Sequence, residues 1–599
     1  MSPKMSTQLK RSFPDKQPCT DLSEPAIVPP RKVWKLTRPS PGAEQLAHKA
    51  NITLTQAQLL MNRGIAEPEA AEAFLLPRLS QMADPMLMKG MARGVKTILT
   101  ALKNRDKITI YGDYDADGLT ASAVLLNFFS DLGIPAASYV PNRLEEGYGL
   151  NRGAIEQISR NGTGLVITVD CGISAVKEIQ FAKKMNMDVV VTDHHQLPTS
   201  SLPDCPIINP LQPECRFPFK DLAGVGLAFF LSVAVRGALR KQGWFSRRQE
   251  PDLREYLDLV ALGTIADRVP LTGQNRMLAR CGLQRMNHTK WPGIKAMVDV
   301  ARIKRATISF DDLAFRLAPR LNAPGRMGDS HSGLKILTAA ETRAAKDLAL
   351  TLDIANGRRQ RLEQNILDRI EEMIRNEDLI SDQRTLLLWG ENWHEGVLGI
   401  VASRLVERYH RPSLVVGIRD GIAAGSGRSI AGFNLYQALT RFASLFQRFG
   451  GHAYAAGFRL DEGNLEVLKR ELEAFGREKL TDEALIPAIT VDAELFFKDI
   501  TRRMVEDITA LAPFGEQNPE PVFLASSIDV TASRIVGNRH LKLRVRQGET
   551  TFDAIGFGFG HHHPLYREKI DMIFTPELNR WQGTEKIQLR IVDLRHAGG

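Results

Sequence analysis

The sequence predicts an α/β protein: two α/β domains joined by a long helix, then a small C-terminal β-barrel. Three observations predict it. From Lys107 onward, β-branched runs alternate with helical stretches, the pattern of a parallel sheet covered by helices. Glu341 to Glu377 carries one unbroken amphipathic pattern, long enough to bridge two bodies. After about Pro487 the chain turns to short strands with tight turns, the mark of a barrel. The 599 residues exceed what one core holds, so about three or four domains are expected. The expected divisions are a tail over 1–45, a first domain over 46–345, a connecting helix over 341–377, a second domain over 380–480 and a barrel over 487–599.

Residues 1–45 are polar and Pro-rich and read as a disordered tail without the apolar core of a signal peptide. Thr53 to Met61 and Pro68 to Leu76 read as short helices, and Met86 to Lys103 as a longer one. Together they form a helical entry expected to pack on the first sheet. No segment reaches the roughly 18 apolar residues of a membrane span. Leu222 to Val235 comes nearest and reads as a buried core helix. Five cysteines with no C-x-x-C pair argue against a disulfide framework and a zinc site. A cytoplasmic protein with no membrane partner is expected. The net charge of +9 favours an anionic partner such as nucleic acid.

The first sheet is read from Ile108 to Tyr111, Leu165 to Val169, Val189 to Thr192 and Ile207-Ile208. Helices are expected between them, over Thr120 to Leu132, Asn151 to Ser159 and Ala175 to Met185. Ligand sites in such sheets lie beyond the carboxyl ends of the strands. Three successive strands end in Asp113-Tyr114-Asp115-Ala116-Asp117, Asp170-Cys171-Gly172 and Asp193-His194-His195. In extended chain Asp113, Asp115 and Asp117 face one side. Carboxylates so gathered repel unless cations lie between them. Each piece alone also reads as a solvated turn or a helix cap; jointly they read as a metal site. Asp267 ends the apolar run Leu259 to Ala266 and is a fourth contributor. An Asp/His set of this kind suits two divalent cations held close together, manganese preferred and magnesium as the substitute.

Along the long helix, Leu348, Leu352, Ala355, Leu362, Ile366, Ile370 and Met373 mark the apolar side. Gly357 to Arg361 is a basic stretch, read either as a solvated face or as a phosphate track. A second α/β pattern follows, with strands Thr385 to Leu388 and Pro412 to Val416. Glycines surround Ser426, Arg428 and His452, which lets a phosphate approach main-chain N–H groups. Arg428 can fork onto phosphate oxygens. In the barrel segment, Phe552, Phe557, Phe559, Phe574 and Trp581 alternate with Arg539, Lys542, Arg544, Arg580 and Lys586. Aromatics in a basic groove stack the bases of single strands, although buried core also accounts for the phenylalanines. His561-His562-His563 reads as a surface loop. A dinucleotide-binding oxidoreductase is disfavoured, since no G-x-G-x-x-G follows the first strand.

The four aspartate and histidine segments, with Thr264-Ile265-Ala266-Asp267 as the last, resemble the motifs of the DHH phosphoesterase superfamily. Leu222-Ala223-Gly224-Val225-Gly226 and Arg320-Leu321-Asn322-Ala323-Pro324-Gly325-Arg326 resemble its RecJ branch, the bacterial single-strand-specific 5′-to-3′ DNA exonucleases. The segments around Ser426, Arg428 and His452 resemble the DHH-associated domain, and the C-terminal part, with Asn579-Arg580-Trp581-x-Gly583, resembles the OB domain of that branch. The resemblance implies that Asp117 and Asp170 bridge or flank two metals, with His194 on one and Asp267 on the same side; Asp113 and Asp115 complete the set. It gives His195 a substrate or leaving-group role. Asn322, Arg326, Ser426, Arg428 and His452 are then expected on substrate phosphates, and Lys542, Arg544, Arg580 and Trp581 on single-stranded DNA with a free 5′ end. A single-strand binding protein and a helicase are implied partners. The alternative within the superfamily is a phosphodiesterase or pyrophosphatase acting on small nucleotides.

Overall fold

The computed structural model describes residues 32–598, apart from 144, 200, 305–307, 538, 566–568 and 582–583. The first sheet is parallel and five-stranded, in the order Ala136–Tyr139, Lys107–Gly112, Thr163–Val169, Asp188–Thr192, Ile207–Ile208. Its central strands are β-branched and buried on both faces, as a sheet covered by helices requires. Ala136–Tyr139 is a strand that sequence reading misses, because Ala-Ala-Ser-Tyr has little β preference. Its place comes from pairing with Lys107–Gly112. Gly112 stands opposite Val169, and Val169 opposite Thr192. Asp113, Asp170 and Asp193 therefore leave the sheet at one level.

The helix expected from Thr120 begins earlier, at Ala116, and runs to Asp131. It is buried on nearly every side, as are Gly224–Lys241 and Leu257–Ala266 against it. The helix expected over Met86 to Lys103 is broken: a single turn at Pro85–Leu87 precedes Met91–Asn104. Gly90 makes the break at φ +87°, where a Cβ would lie 1.8 Å from Ile207 O. Thr342–Asn376 is continuous. Its N-terminal half places Ala345, Ala349 and Leu352 in the first domain's core, and its C-terminal half places Ile366, Ile370 and Ile374 in the second's.

The second sheet runs Phe446–Gly451, Ala455–Asp461, Ile422–Arg428, Ser413–Arg419, Leu386–Glu391, and only the last pair is parallel. The glycine-rich stretch at Gly425 to Arg428 is thus a strand and not a loop. Glycine is needed there because a Cβ on Gly425 would meet the Phe458 ring at 2.2 Å. In the C-terminal domain, Phe523–Val536 pairs with both His540–Gln547 and Lys569–Trp581, which closes a five-stranded barrel through Thr550–Gly556 and Thr584–His596. Among the described residues no helix is long and apolar enough to cross a membrane.

The N-terminal expectations need two corrections. Residues 32–45 are ordered: Val33–Leu36 pairs in parallel with Ala488–Val491, and Trp34 Nε1 donates to Asp593 at 2.9 Å. Residues 1–31 lie outside the described residues. Of the expected entry helices, Met91–Asn104 packs on the first sheet, but Leu54–Met61 and Pro68–Leu75, with Ala43–Ala50 before them, do not. Leu46, Leu59, Leu60 and Phe74 share one core with Ile508, Phe523 and Phe574 of the barrel domain. Periodicity shows that a helix has an apolar face, not which distant segment covers it.

Candidate metal centre and phosphate cleft

Asp113 follows the first strand and is buried. The strand ends at Gly112, and Asp115, its own backbone still extended, turns to another task. It caps the helix Ala116–Asp131, and its Oδ1 accepts from Asp117 N at 3.0 Å and Gly118 N at 3.1 Å. Asp117 lies in the first helical turn, so the helix rather than strand alternation brings it to the cluster. Its carboxylate accepts from Gly224 N at 2.6 Å and Val225 N at 2.8 Å, at the start of the helix Gly224–Lys241. A Cβ on Gly224 would come 2.9 Å from Asp117 Oδ2 and from Asp170 Cβ, and a Cβ on Gly263 3.0 Å from Asp117 Oδ1. Both glycines let helices close onto the carboxylates.

Asp170 sits at φ +61°, a conformation that non-glycine residues rarely adopt and that recurs at functional sites. His194 Nε2 lies 3.0 Å from Asp170 Oδ1, 3.5 Å from Asp267 Oδ2 and 3.9 Å from Asp117 Oδ2. Candidate ligand atoms fall into three overlapping triads, Asp170-His194-His195, Asp117-His194-Asp267 and Asp113-Asp115-Asp170, each within 4.8 Å. Asp113 Oδ1, Asp170 Oδ1, His194 Nε2 and Asp267 Oδ2 are buried without a hydrogen-bond partner. Buried polar atoms left unpaired while converging on one space fit a cation there.

Electrostatics agree. Burial and neighbouring carboxylates raise Asp113, Asp170 and Asp267 well above the usual carboxylate range, and push Asp117 up to about 7. Such a cluster holds protons unless positive charge enters it. Burial, helped by the charge of His195, lowers His194 to about 4, so its imidazole is neutral and able to ligate. His195 stands at the edge of the cluster and turns its ring to Asp193: its Nδ1 lies 2.8 Å from Asp193 Oδ1 and 3.9 Å from Asp170 Oδ1. Asp193 also accepts from His195 N at 3.0 Å and Ile173 N at 2.9 Å. Burial alone would raise Asp193, but these bonds hold it below its ordinary value. Burial likewise opposes charge on His195, yet the bond to Asp193 raises it.

Beside the carboxylates lies a cleft of about 380 Å³, lined by Tyr114 and Arg143 from the first domain and by Gly396, Gly399, Ser426 and Arg448 from the second. Arg143 stacks over the Tyr114 ring at 5.2 Å. Arg326 is half-buried, and burial with the charges of Arg143, Arg359 and Arg428 lowers it to about 9. Arg428 lies in the same positive field, with Arg143 and Arg268 near, and its Nη1 donates to Gly427 O at 2.8 Å. Clustered arginines with few acidic partners await an anion.

Other expected site residues fall differently. Asn322 Oδ1 accepts from Ala116 N at 2.7 Å, so this side chain braces the aspartate turn. His452 lies exposed between the strands Phe446–Gly451 and Ala455–Asp461, with its N–H on Ala455 O. Lys542 and Arg544 share Asp553, at 3.9 and 3.3 Å. The side chains of Arg580 and Trp581 lie outside the described residues. Phe574 is core, Phe552 packs on Phe497, and Phe557 is exposed. Sequence reasoning gives no role to Asp193, Arg143 or Tyr148. Only Asp193, heading Asp-His-His, carries a signal. Tyr148 hydroxyl reaches both Asp170 O and His195 Nδ1 at 3.2 Å.

A metal-binding carboxylate edge facing an arginine-lined second α/β domain defines a DHH-type phosphoesterase. The DHH family N-terminal domain model matches residues 107–264, the DHHA1 domain model 382–478 and the RecJ OB domain model 491–593. The single-stranded-DNA-specific exonuclease RecJ of Bacillus subtilis is 37% identical over 94% of this chain and 70% of its own length. The Escherichia coli protein of the same name is 37% identical over 84% of this chain and 90% of its own. The crystal structure of RecJ from Thermus thermophilus in complex with Mn2+ superposes with a TM-score of 0.80 at 28% identity, covering 95% of this chain and 80% of that one. This chain belongs to the RecJ family of exonucleases.

Proposed function

We propose that this chain hydrolyses single-stranded DNA stepwise from its 5′ end and releases mononucleotides. The observation that carries the reading is a set of overlapping carboxylate and histidine triads at one sheet edge beside an arginine-lined cleft. Asp113, Asp115, Asp117, Asp170, His194 and Asp267 would hold two divalent cations, Mn2+ preferred and Mg2+ as substitute. When bound, the cations activate water at neutral pH and neutralise charge growing on phosphorus. Gly224 N and Val225 N fix the orientation of Asp117, and Asn322 fixes the turn that carries Asp115. His195, aligned by Asp193, turns Nε2 to the substrate phosphate or to the leaving oxygen. Arg326, Ser426 and Arg428 grip phosphates, the terminal 5′ phosphate first because it carries the most charge, with His452 at the rim. A duplex is wider and stiffer than a single strand, which disfavours it in a cleft between two domains. The barrel adds affinity for single strands through its basic and aromatic surface. The protein acts in the cytoplasm, with a single-strand binding protein and a helicase as partners.

The test compares linear single strands, circular single strands and blunt duplexes, with Mn2+ and with chelator. Linear single strands should be degraded only with metal. Equal loss of circles would remove end recognition, and undiminished activity in chelator would remove the metal site.

A further inference from the structure

We propose that Gly396 is a positioning residue that sets the distance between the metal centre and the phosphate grip; this rests on the reading that the arginine cleft takes the 5′ phosphate. The helix Ala318–Arg326 ends at Arg326, and the helix Glu395–Tyr409 starts at the cleft with His394 as its cap. The two helix ends meet at Gly396. Arg326 Nη1 donates to Gly396 O at 3.2 Å, and a Cβ on Gly396 would lie 2.2 Å from Arg326 O. That obstacle is main chain, so no side-chain rotation relieves it.

Arg326, although one of the phosphate-gripping arginines, is carried on the metal side, at the end of the helix Ala318–Arg326. A Cβ on the preceding Gly325 would lie 3.3 Å from Tyr114 O, within the aspartate segment. Gly396 belongs to the phosphate side. Gly399, further along the same helix, lies where a Cβ would be 2.9 Å from Ser426 Oγ and 3.1 Å from Arg428 Nη2. The contact at Gly396 thus joins the ligand-bearing turn to the Ser426 and Arg428 wall. The same helix is also held to the long helix Thr342–Asn376, where Arg404 Nε meets buried Glu363 Oε1 at 2.5 Å and Arg359 Nη1 donates to Glu363 Oε2 at 3.1 Å. A methyl group at 396 would have to part the two walls by about 1 Å, and a misplacement of that size costs about 10²-fold in rate.

The experiment measures kcat/KM of Gly396→Ala on one oligonucleotide carrying either a 5′ phosphate or a 5′ hydroxyl, with Mn2+. The phosphorylated substrate should lose about 10²-fold, and the hydroxyl substrate far less, so the phosphate preference collapses toward one. A packing defect would lower both alike. Both rates come from one preparation, so their ratio does not depend on the fraction folded. If Gly396→Ala yields no folded protein, Arg404→Gln loosens the hold on the same helix while leaving the Arg359–Glu363 pair in place, and should show the same selective loss. A preference kept in the variant assayed overturns this inference alone. A wild-type enzyme without any phosphate preference overturns the 5′-end reading, and this inference with it.

Discussion

Asp170 combines a left-handed backbone, full burial and an unpaired carboxylate oxygen. Removing it should lower hydrolysis on the order of 10³-fold, the scale of losing a preorganised electrostatic group. The metal-free fold should not suffer, because Asp170→Ala takes one charge from a repelling cluster. Wild type should gain thermal stability on adding Mn2+, and Asp170→Ala should gain less. A variant at wild-type activity would remove Asp170 from the site. Asp193→Asn tests positioning: it weakens the hold on His195 and should cost about 10–100-fold in kcat. Unchanged kcat would show that His195 needs no alignment. All the ligands but Asp267 were legible because they follow three strands at the same level; Asp267 was legible as the end of an apolar run. The means of convergence was not legible. The glycines at 224 and 263 lie on helices far along the chain, and the cap by Asp115, though local, is hidden when the helix is read from Thr120.

At the level of elements, Arg276 joins three parts of the chain. Its guanidinium is buried and donates to Phe74 O at 2.8 Å, Ala512 O at 3.0 Å, and Pro513 O and Ala510 O at 3.4 Å. Burial lowers it to about 9, yet among the described residues no carboxylate partners it there, so carbonyls carry the charge. Arg276→Ala strands those carbonyls and should destabilise the protein by about 1–3 kcal/mol for each one left buried without a donor, read as a lower denaturation midpoint. A midpoint within error of wild type would contradict this. Most elements were readable from period and composition, the long helix to within a residue at each end. Ala136–Tyr139 escaped because pairing, not propensity, makes it a strand.

At the scale of the whole molecule, the chain's two ends share a core, and the N-terminal strand pairs with the segment leading into the barrel. A cut near Thr481 therefore removes more than a barrel, since it also exposes the apolar faces of residues 43–75. Such a truncation should be nicked within 32–75 in limited proteolysis and should bind single strands more weakly across a salt series. Resistance of that segment equal to the full chain would contradict the shared core. The central claim concerns direction. A single-stranded oligonucleotide labelled at either end, followed in time with Mn2+, tests it most directly. The 5′ label should appear first, as a mononucleotide, while the 3′ label stays on shortening chains. Release of the 3′ label first would contradict the account.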